Sequence, residues 1–447
     1  MRYDTLVVNG KLVIPRHGVV QANVAIQGGK VAALLEPPHA VPAEEIIDAD
    51  GRYVLPGLID PHVHLGIGAP DDYRTETQAA AIGGITCVGN FLMKNEPYEV
   101  VCARDKEMGE AQALVDFFPH FTVMNHSQIA SLDSYIGLGV PSYKYMMSFK
   151  GDEGLYMGVT GTDDGLLWEL MEALGKRPKA ITAVHPENIE VVWQLRKRLQ
   201  ESGAEGLEAW DASRPDFVEA VDLDKACYFA QLAGARLYVV HVSCQRALEV
   251  VHRRRWPGMY AETCPHYLTH TKHSPIGSLG KVNPPLRTEA DVAALWQAVL
   301  DGTIDTIGSD HLSRGRDKKL GSIWKASAGF PGMPTLLPVL LSEGVHKRGL
   351  DLVRVAELTA YNPARIFGLY PRKGTIAIGS DADLTIVDLE LEKEVRPEEL
   401  LSAAGYSSYE GWRRKGWPGL TMARGATVMR DGKIVGTVSA QVDHGYQ

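Results

Sequence analysis

The chain has 447 residues, 45% of them hydrophobic and 23% charged, which excludes a disordered or fibrous class and leaves room for a large core. Its formal net charge of -9 argues against nucleic acid or an anionic membrane as partner, but not against an anionic substrate. Cys87, Cys102, Cys227, Cys244 and Cys264 form no C-x-x-C pair. The start Met1-Arg2-Tyr3-Asp4 opens a short alternating run, not an apolar leader; both features point to a reduced, cytoplasmic setting. No apolar run has the length of a bilayer span.

The first fifty residues read as short strands between turns. Leu6-Val7-Val8 and Lys11-Leu12-Val13 flank Asn9-Gly10, which predicts a tight hairpin. Asn23–Ile26 and Val31–Leu34 flank Gly28-Gly29 in the same way. The C-terminal region has this texture again, in Asp383–Val387, Ala426–Met429 and Lys433–Val435. Both ends are therefore β-rich, and one small domain built from both is expected.

Between them, eight β-like runs alternate with helical patterns. The runs lie near 58–64, 84–89, 117–124, 140–146, 180–185, 236–242, 259–264 and 303–309; amphipathic helices are predicted at Asn188–Leu199, Arg214–Leu232 and Ala290–Leu300. This alternation predicts an α/β fold. It is a (β/α)8 TIM barrel over 55–372, with a β-sandwich-like domain from 1–54 and 373–447. An open doubly wound sheet is the alternative, weakened by the lack of a Gly-rich phosphate loop after the first strand.

Chemistry-bearing residues gather where these strands stop. His62 and His64 are two apart in a strand, so their imidazoles share a side and can converge on one cation. His185 ends the fifth run, His241 the sixth, and Asp310 follows the eighth. In a barrel, those positions share the catalytic face. Lys144 lies inside the fourth run. A buried lysine must be paired, deprotonated or chemically altered; an exposed strand end is the other reading. A carbamate made from CO2 is one such alteration, anionic and able to bridge two metals.

This set resembles the cyclic amidohydrolases of the amidohydrolase superfamily: hydantoinases, dihydropyrimidinases, allantoinases and dihydroorotases. Ordered blocks carry the resemblance: Gly57–His64, Glu262–Leu268, Lys281–Arg287, Gly308–His311, Tyr361–Ala364 and Gly379–Leu384. The resemblance implies that His62, His64 and Asp310 hold the more buried of two divalent metals, Zn2+ being the usual pair in such enzymes. His185 and His241 hold the second, and Lys144, as N6-carboxylysine, bridges them. It further implies a metal-bridging hydroxide, with Asp310 as general base and then acid, and a homo-oligomer, tetramer or dimer.

Two positions and one segment depart from the relatives. Phe149 stands where hydantoinases and dihydropyrimidinases carry a tyrosine that steadies the oxyanion. Gly66 stands where dihydroorotases carry an arginine for the substrate carboxylate, and Leu65–Ala69 lacks the polar segment usual in allantoinases. Asn283 is a candidate substrate contact or a turn residue before Pro284-Pro285. His311 is a candidate to contact substrate or to orient Asp310. Lys94 and Asn95 are candidates for the mouth or for a solvated loop. His120, His126, His266, His270 and His273 read as structural or surface histidines, and Cys264 as packing. The stretch Tyr406–Pro418, with Trp412 and Trp417, either covers an interface or caps the barrel.

The expected activity is metal-dependent opening of a cyclic amide (hydantoin-like, allantoin-like or another cyclic ureide or imide). The alternatives are a binuclear hydrolase of a non-cyclic amide and a non-catalytic scaffold, the latter disfavoured by the intact ligand set.

Overall fold

The first two strands, on either side of Asn9-Gly10, do not pair with each other. The computed structural model describes residues 2–38, 41–67, 72–156, 162–437 and 440–441. Its first strands are β1 (Tyr3–Val8), β2 (Lys11–Ile14), β3 (Gly18–Gln21), β4 (Asn23–Gln27), β5 (Lys30–Leu35), β6 (Ala43–Asp48) and β7 (Tyr53–Pro56). β1 pairs with β4 and β6 in a four-stranded sheet, whereas β2 pairs with β3 and β7 in another sheet. The predicted hairpin is therefore absent. A two-residue type I′ turn needs positive φ at both centres; Asn9 has φ 59° and Gly10 is not in that region. The chain steps between sheets here, with Gly10 so close to Val54 Cγ2 that a Cβ would sit 2.6 Å from it. The second predicted hairpin does form, with Gln27 opposite Lys30.

The middle of the chain supplies β8 (Leu58–His64), β9 (Ile85–Leu92), β10 (Asp116–Thr122), β11 (Ser142–Met146), β12 (Ile181–His185), β13 (Leu237–Val239), β14 (Met259–Thr263), β15 (Thr306–Ile307) and β16 (His311–Leu312). They form one curled sheet, parallel throughout, in the order β15-β14-β13-β12-β11-β10-β9-β8-β16. Its two edge strands are consecutive in the chain, separated only by Gly308-Ser309-Asp310. Two strands are shorter than predicted. β13 stops at Val239, because His241 takes a left-handed φ of 42° and leaves the ladder; Asp310, at φ 49°, interrupts the last strand in the same way. Such backbone in residues with a Cβ is strained and concentrates at functional sites.

Helices fall near their predicted positions. Ile189–Glu201 begins after Asn188, whose side chain accepts from Val191 N. Glu289–Asp301 has a capping box between Thr288 and Asp291. The helix expected from Arg214 starts at Asp216, because Pro215 takes the extended N-cap conformation, and it ends at the left-handed Gly234. No helix among the described residues is long and apolar enough to cross a membrane.

The last strands are β17 (Leu384–Glu394), β18 (Arg413–Ala423), β19 (Ala426–Arg430) and β20 (Lys433–Ile434). β17 pairs with β7, so both ends of the chain meet in a seven-stranded sheet. Val7, Val24 and Ile26 from the four-stranded sheet share an apolar core with Leu12, Val54, Leu384 and Met422 from the seven-stranded one. The Tyr406–Pro418 stretch packs on its own chain. Trp417 and Tyr409 bury against Val339, and the Trp412 ring lies 4.9 Å from that of His270.

Candidate metal centre

His62, His64, Lys144, His185, His241 and Asp310 all line one cavity of about 210 Å³. Asp310 Oδ1 lies 3.3 Å from His62 Nε2 and 3.2 Å from His64 Nε2. Across the cavity, His185 Nδ1 and His241 Nε2 are 2.9 Å apart. The rings of His62 and His241 stack at 5.5 Å, so the two groups adjoin. Lys144 Nζ lies 3.4 Å from His62 Nε2 and sits over the Phe91 ring at 4.4 Å.

Buried carboxylates set the direction of the imidazoles. His62 Nδ1 is 2.7 Å from Glu262 Oε1, and His185 Nε2 is 2.7 Å from Glu187 Oε2. Each of these nitrogens donates to its carboxylate, which leaves the other nitrogen of the ring as a bare lone pair facing the cavity. Glu262 also accepts from Tyr238 OH at 2.7 Å and from His241 N at 3.0 Å. Glu187 is paired with Arg214 at 2.8 Å. Space is tight behind the site: a Cβ on Gly308 would lie 2.5 Å from Glu262 Oε2 and 2.9 Å from His62 Cβ.

Neither Glu262 nor Glu187 carries a role in the sequence reading. The available signal was a charged residue within an otherwise buried run, which must be paired.

Burial, with the nearby Lys144 charge, holds His62 well below the ordinary imidazole value; burial does the same to His241. Burial alone would raise Asp310, but the surrounding imidazoles outweigh it and keep the carboxyl well below its usual range. For Glu187 the opposition of burial to Arg214 and His185 ends at about 2. Burial raises Glu262 to about 7 and lowers Lys144 to about 8. Lys144 is buried without a carboxylate at ion-pair distance among the described residues. The donor chemistry fits a divalent metal: His62, His64 and Asp310 each offer one ligand atom, all within 4.8 Å of one another.

The rest of the wall is mostly apolar: Ile67, Phe91, Met93, Met146, Phe149 and Leu312. Asn283 belongs to it, and its Oδ1 is buried with no hydrogen-bond partner among the described residues. His311 does not reach the cavity. It is fully buried, donates from Nε2 to Glu76 at 2.9 Å, and accepts at Nδ1 from Gly332 N and Met333 N. Its position next to Asp310 in sequence misleads because Asp310, at φ 49°, breaks the strand just before His311, so the two side chains take separate directions. Lys94 is exposed and lines a neighbouring hollow instead. Gly66 has φ 76°, a conformation that resists an arginine; Gly68 and Ala69 lie outside the described residues. His120, His266 and His270 are buried, and His126 and His273 are on the surface, paired with Glu169 and Glu208. Cys264 is buried, and burial pushes its thiol well up, away from nucleophile chemistry.

The pattern described as the amidohydrolase family matches residues 235–435. An L-hydantoinase of Paenarthrobacter aurescens is 33% identical over 445 residues, covering 97% of this chain and 96% of that protein. An allantoinase of Deinococcus radiodurans is 34% identical over 449 residues, 97% of each. The crystal structure of a dihydropyrimidinase from Brevibacillus agri superposes with a TM-score of 0.91 at 31% identity, over 99% of this chain and 98% of that one. The chain belongs to the amidohydrolase family, alongside hydantoinases, dihydropyrimidinases and allantoinases.

Proposed function

We propose that the protein is a metal-dependent hydrolase that opens a cyclic amide, a hydantoin, an allantoin-like ureide or a cyclic imide. The observation that carries this reading is the convergence of His62, His64, His185, His241, Asp310 and Lys144, which has no described carboxylate partner, on one small cavity. In this reading His62, His64 and Asp310 hold one cation, and His185 and His241 the other. Lys144, as a carbamate, would help to hold both. Divalent cations held there, such as zinc, would make hydroxide available at neutral pH and polarise the amide carbonyl.

The remaining work falls to the chain. Asp310, ionised and held between His62 and His64, takes the proton of the attacking water and returns it to the leaving nitrogen. An amide nitrogen leaves poorly unless protonated, so one residue serves both steps. Asn283 Oδ1 offers an acceptor to a ring N–H. The apolar wall excludes water from the bound ring.

The curled sheet is read as a closed (β/α)8 barrel over 55–372, supported by its two consecutive edge strands, and the two smaller sheets as a domain from 1–54 and 373–447. We place the enzyme in the cytoplasm, as a homodimer or homotetramer. The helix Asp216–Ala233 supports self-association: Phe217, Val221, Tyr228 and Leu232 stand exposed along it.

The test is metal analysis with turnover on hydantoin, dihydrouracil, allantoin, dihydroorotate and succinimide. Bound metal with ring opening of at least one is expected. No metal and no turnover across the panel would favour a scaffold.

A further inference from the structure

Three charged side chains line the cavity outside the ligand set, and they are not equivalent. Arg214 is paired with Glu187 at 2.8 Å. Glu153 accepts from Arg196 at 2.7 Å and from Trp193 Nε1 at 2.9 Å. Arg314 donates to Ser327 Oγ at 2.6 Å, and no described carboxylate lies within ion-pair distance of it.

Arg314 follows Asp310 by four residues, on the segment after the last parallel strand. Arg314 and Ala328 line the cavity and also an adjoining hollow, whose other walls are Lys318, Lys325, Ala326 and Ser327. No acidic residue lines that hollow. Beneath it, the buried Lys319 donates to the carbonyls of Lys281, Ser327 and Gly329 at 2.8, 2.8 and 2.7 Å. Burial, with the like charges of Lys281 and Arg314, pulls this amine well below its ordinary value. Of the nearby acids, Glu205 takes Ser322 Oγ at 2.6 Å and Ile323 N at 3.0 Å and Glu410 pairs with Arg316 at 3.3 Å, whereas Asp317 pairs with Lys318 at 3.4 Å and leaves Arg314 and Lys325 without a described carboxylate partner.

A chain of net charge -9 thus gathers Arg314, Lys318 and Lys325 on one hollow beside its cavity, with no acid among that hollow's described lining residues. Like charges held together disfavour one another, and a bound anion relieves the conflict. Ser327 occupies one terminal nitrogen of Arg314. The rest of the guanidinium edge matches the two oxygens of a carboxylate.

We propose that Arg314, backed by Lys318 and Lys325, is an anion subsite, and that the preferred substrate is a cyclic amide bearing a carboxylate on a short side chain. This rests on the ring-opening function proposed above. The ring occupies the cavity between the ligand set and Phe149, and its acidic arm reaches the segment 314–328.

The test compares hydantoin-5-acetate with hydantoin-5-acetamide, which differ in charge but hardly in shape, on the zinc-loaded full-length protein. kcat/KM for the carboxylate is expected to exceed that for the amide by roughly 10- to 100-fold. Added salt should shrink this ratio. Arg314→Gln should bring it close to one, and Arg314→Glu should invert it. A wild-type ratio near one, or a ratio that Arg314→Gln leaves unchanged, overturns the subsite while leaving the hydrolase intact. Calorimetric binding of the same pair separates the two claims. Tighter, Arg314-dependent binding of the carboxylate without turnover supports the subsite and removes the hydrolase. Binding of neither compound, with no turnover of either, overturns the subsite.

Discussion

The floor of the cavity and its rim follow different rules. On the floor, His62 and His185 are each backed by a buried carboxylate, and Gly308 leaves no room for adjustment. On the rim, Phe149 has no donor, and Asn283 and Arg314 retain unused hydrogen-bonding capacity. The floor is overdetermined because several residues must agree on where a cation sits. The rim must suit only the substrate, so it is where this chain departs from the enzymes it resembles.

Changes on the floor should therefore cost chemistry or metal, and changes on the rim should redistribute substrates. The largest effect is expected at Asp310. Asp310→Asn should keep metal content near normal and lower kcat by about 10³-fold or more, measured on the best panel substrate. Full activity in that variant would remove the proton-transfer role. Next comes Glu262→Gln, which weakens the hold on His62 Nδ1 and is expected to reduce metal affinity about 10- to 100-fold by competition with a chelator. An unchanged affinity would mean that the backing carboxylate does not tune the site.

On the rim, Phe149→Tyr restores a donor. It should raise kcat for dihydrouracil by about tenfold with metal content unchanged. No gain would place residue 149 away from the reacting carbonyl. The smallest effect is predicted for Lys94→Ala, whose side chain is exposed and outside the cavity; kcat/KM should stay within about twofold of the wild type.

Much of the floor was legible in sequence because strand periodicity and strand ends are local signals. His62 and His64 share a side by the two-residue repeat, and His185 closes an apolar run. The strand ends at His241 and Asp310 were less visible. Their left-handed backbone depends on neighbours far along the chain, such as Glu262, which accepts from His241 N. Long-range pairing also hid the roles of Glu262 and Glu187. Asn9-Gly10 shows the limit of turn chemistry: a strong hairpin signal was overridden when β1 and β2 found partners in different sheets. His311 was misplaced because adjacency to Asp310 says nothing of which way a side chain faces.

The most direct test of the central claim couples metal stoichiometry to ring opening in one preparation. Protein purified with zinc and bicarbonate should bind two metal ions per chain and open at least one cyclic amide of the panel. It should lose both properties on chelation and regain both when zinc and bicarbonate return. Turnover that persists after complete metal removal would contradict the account.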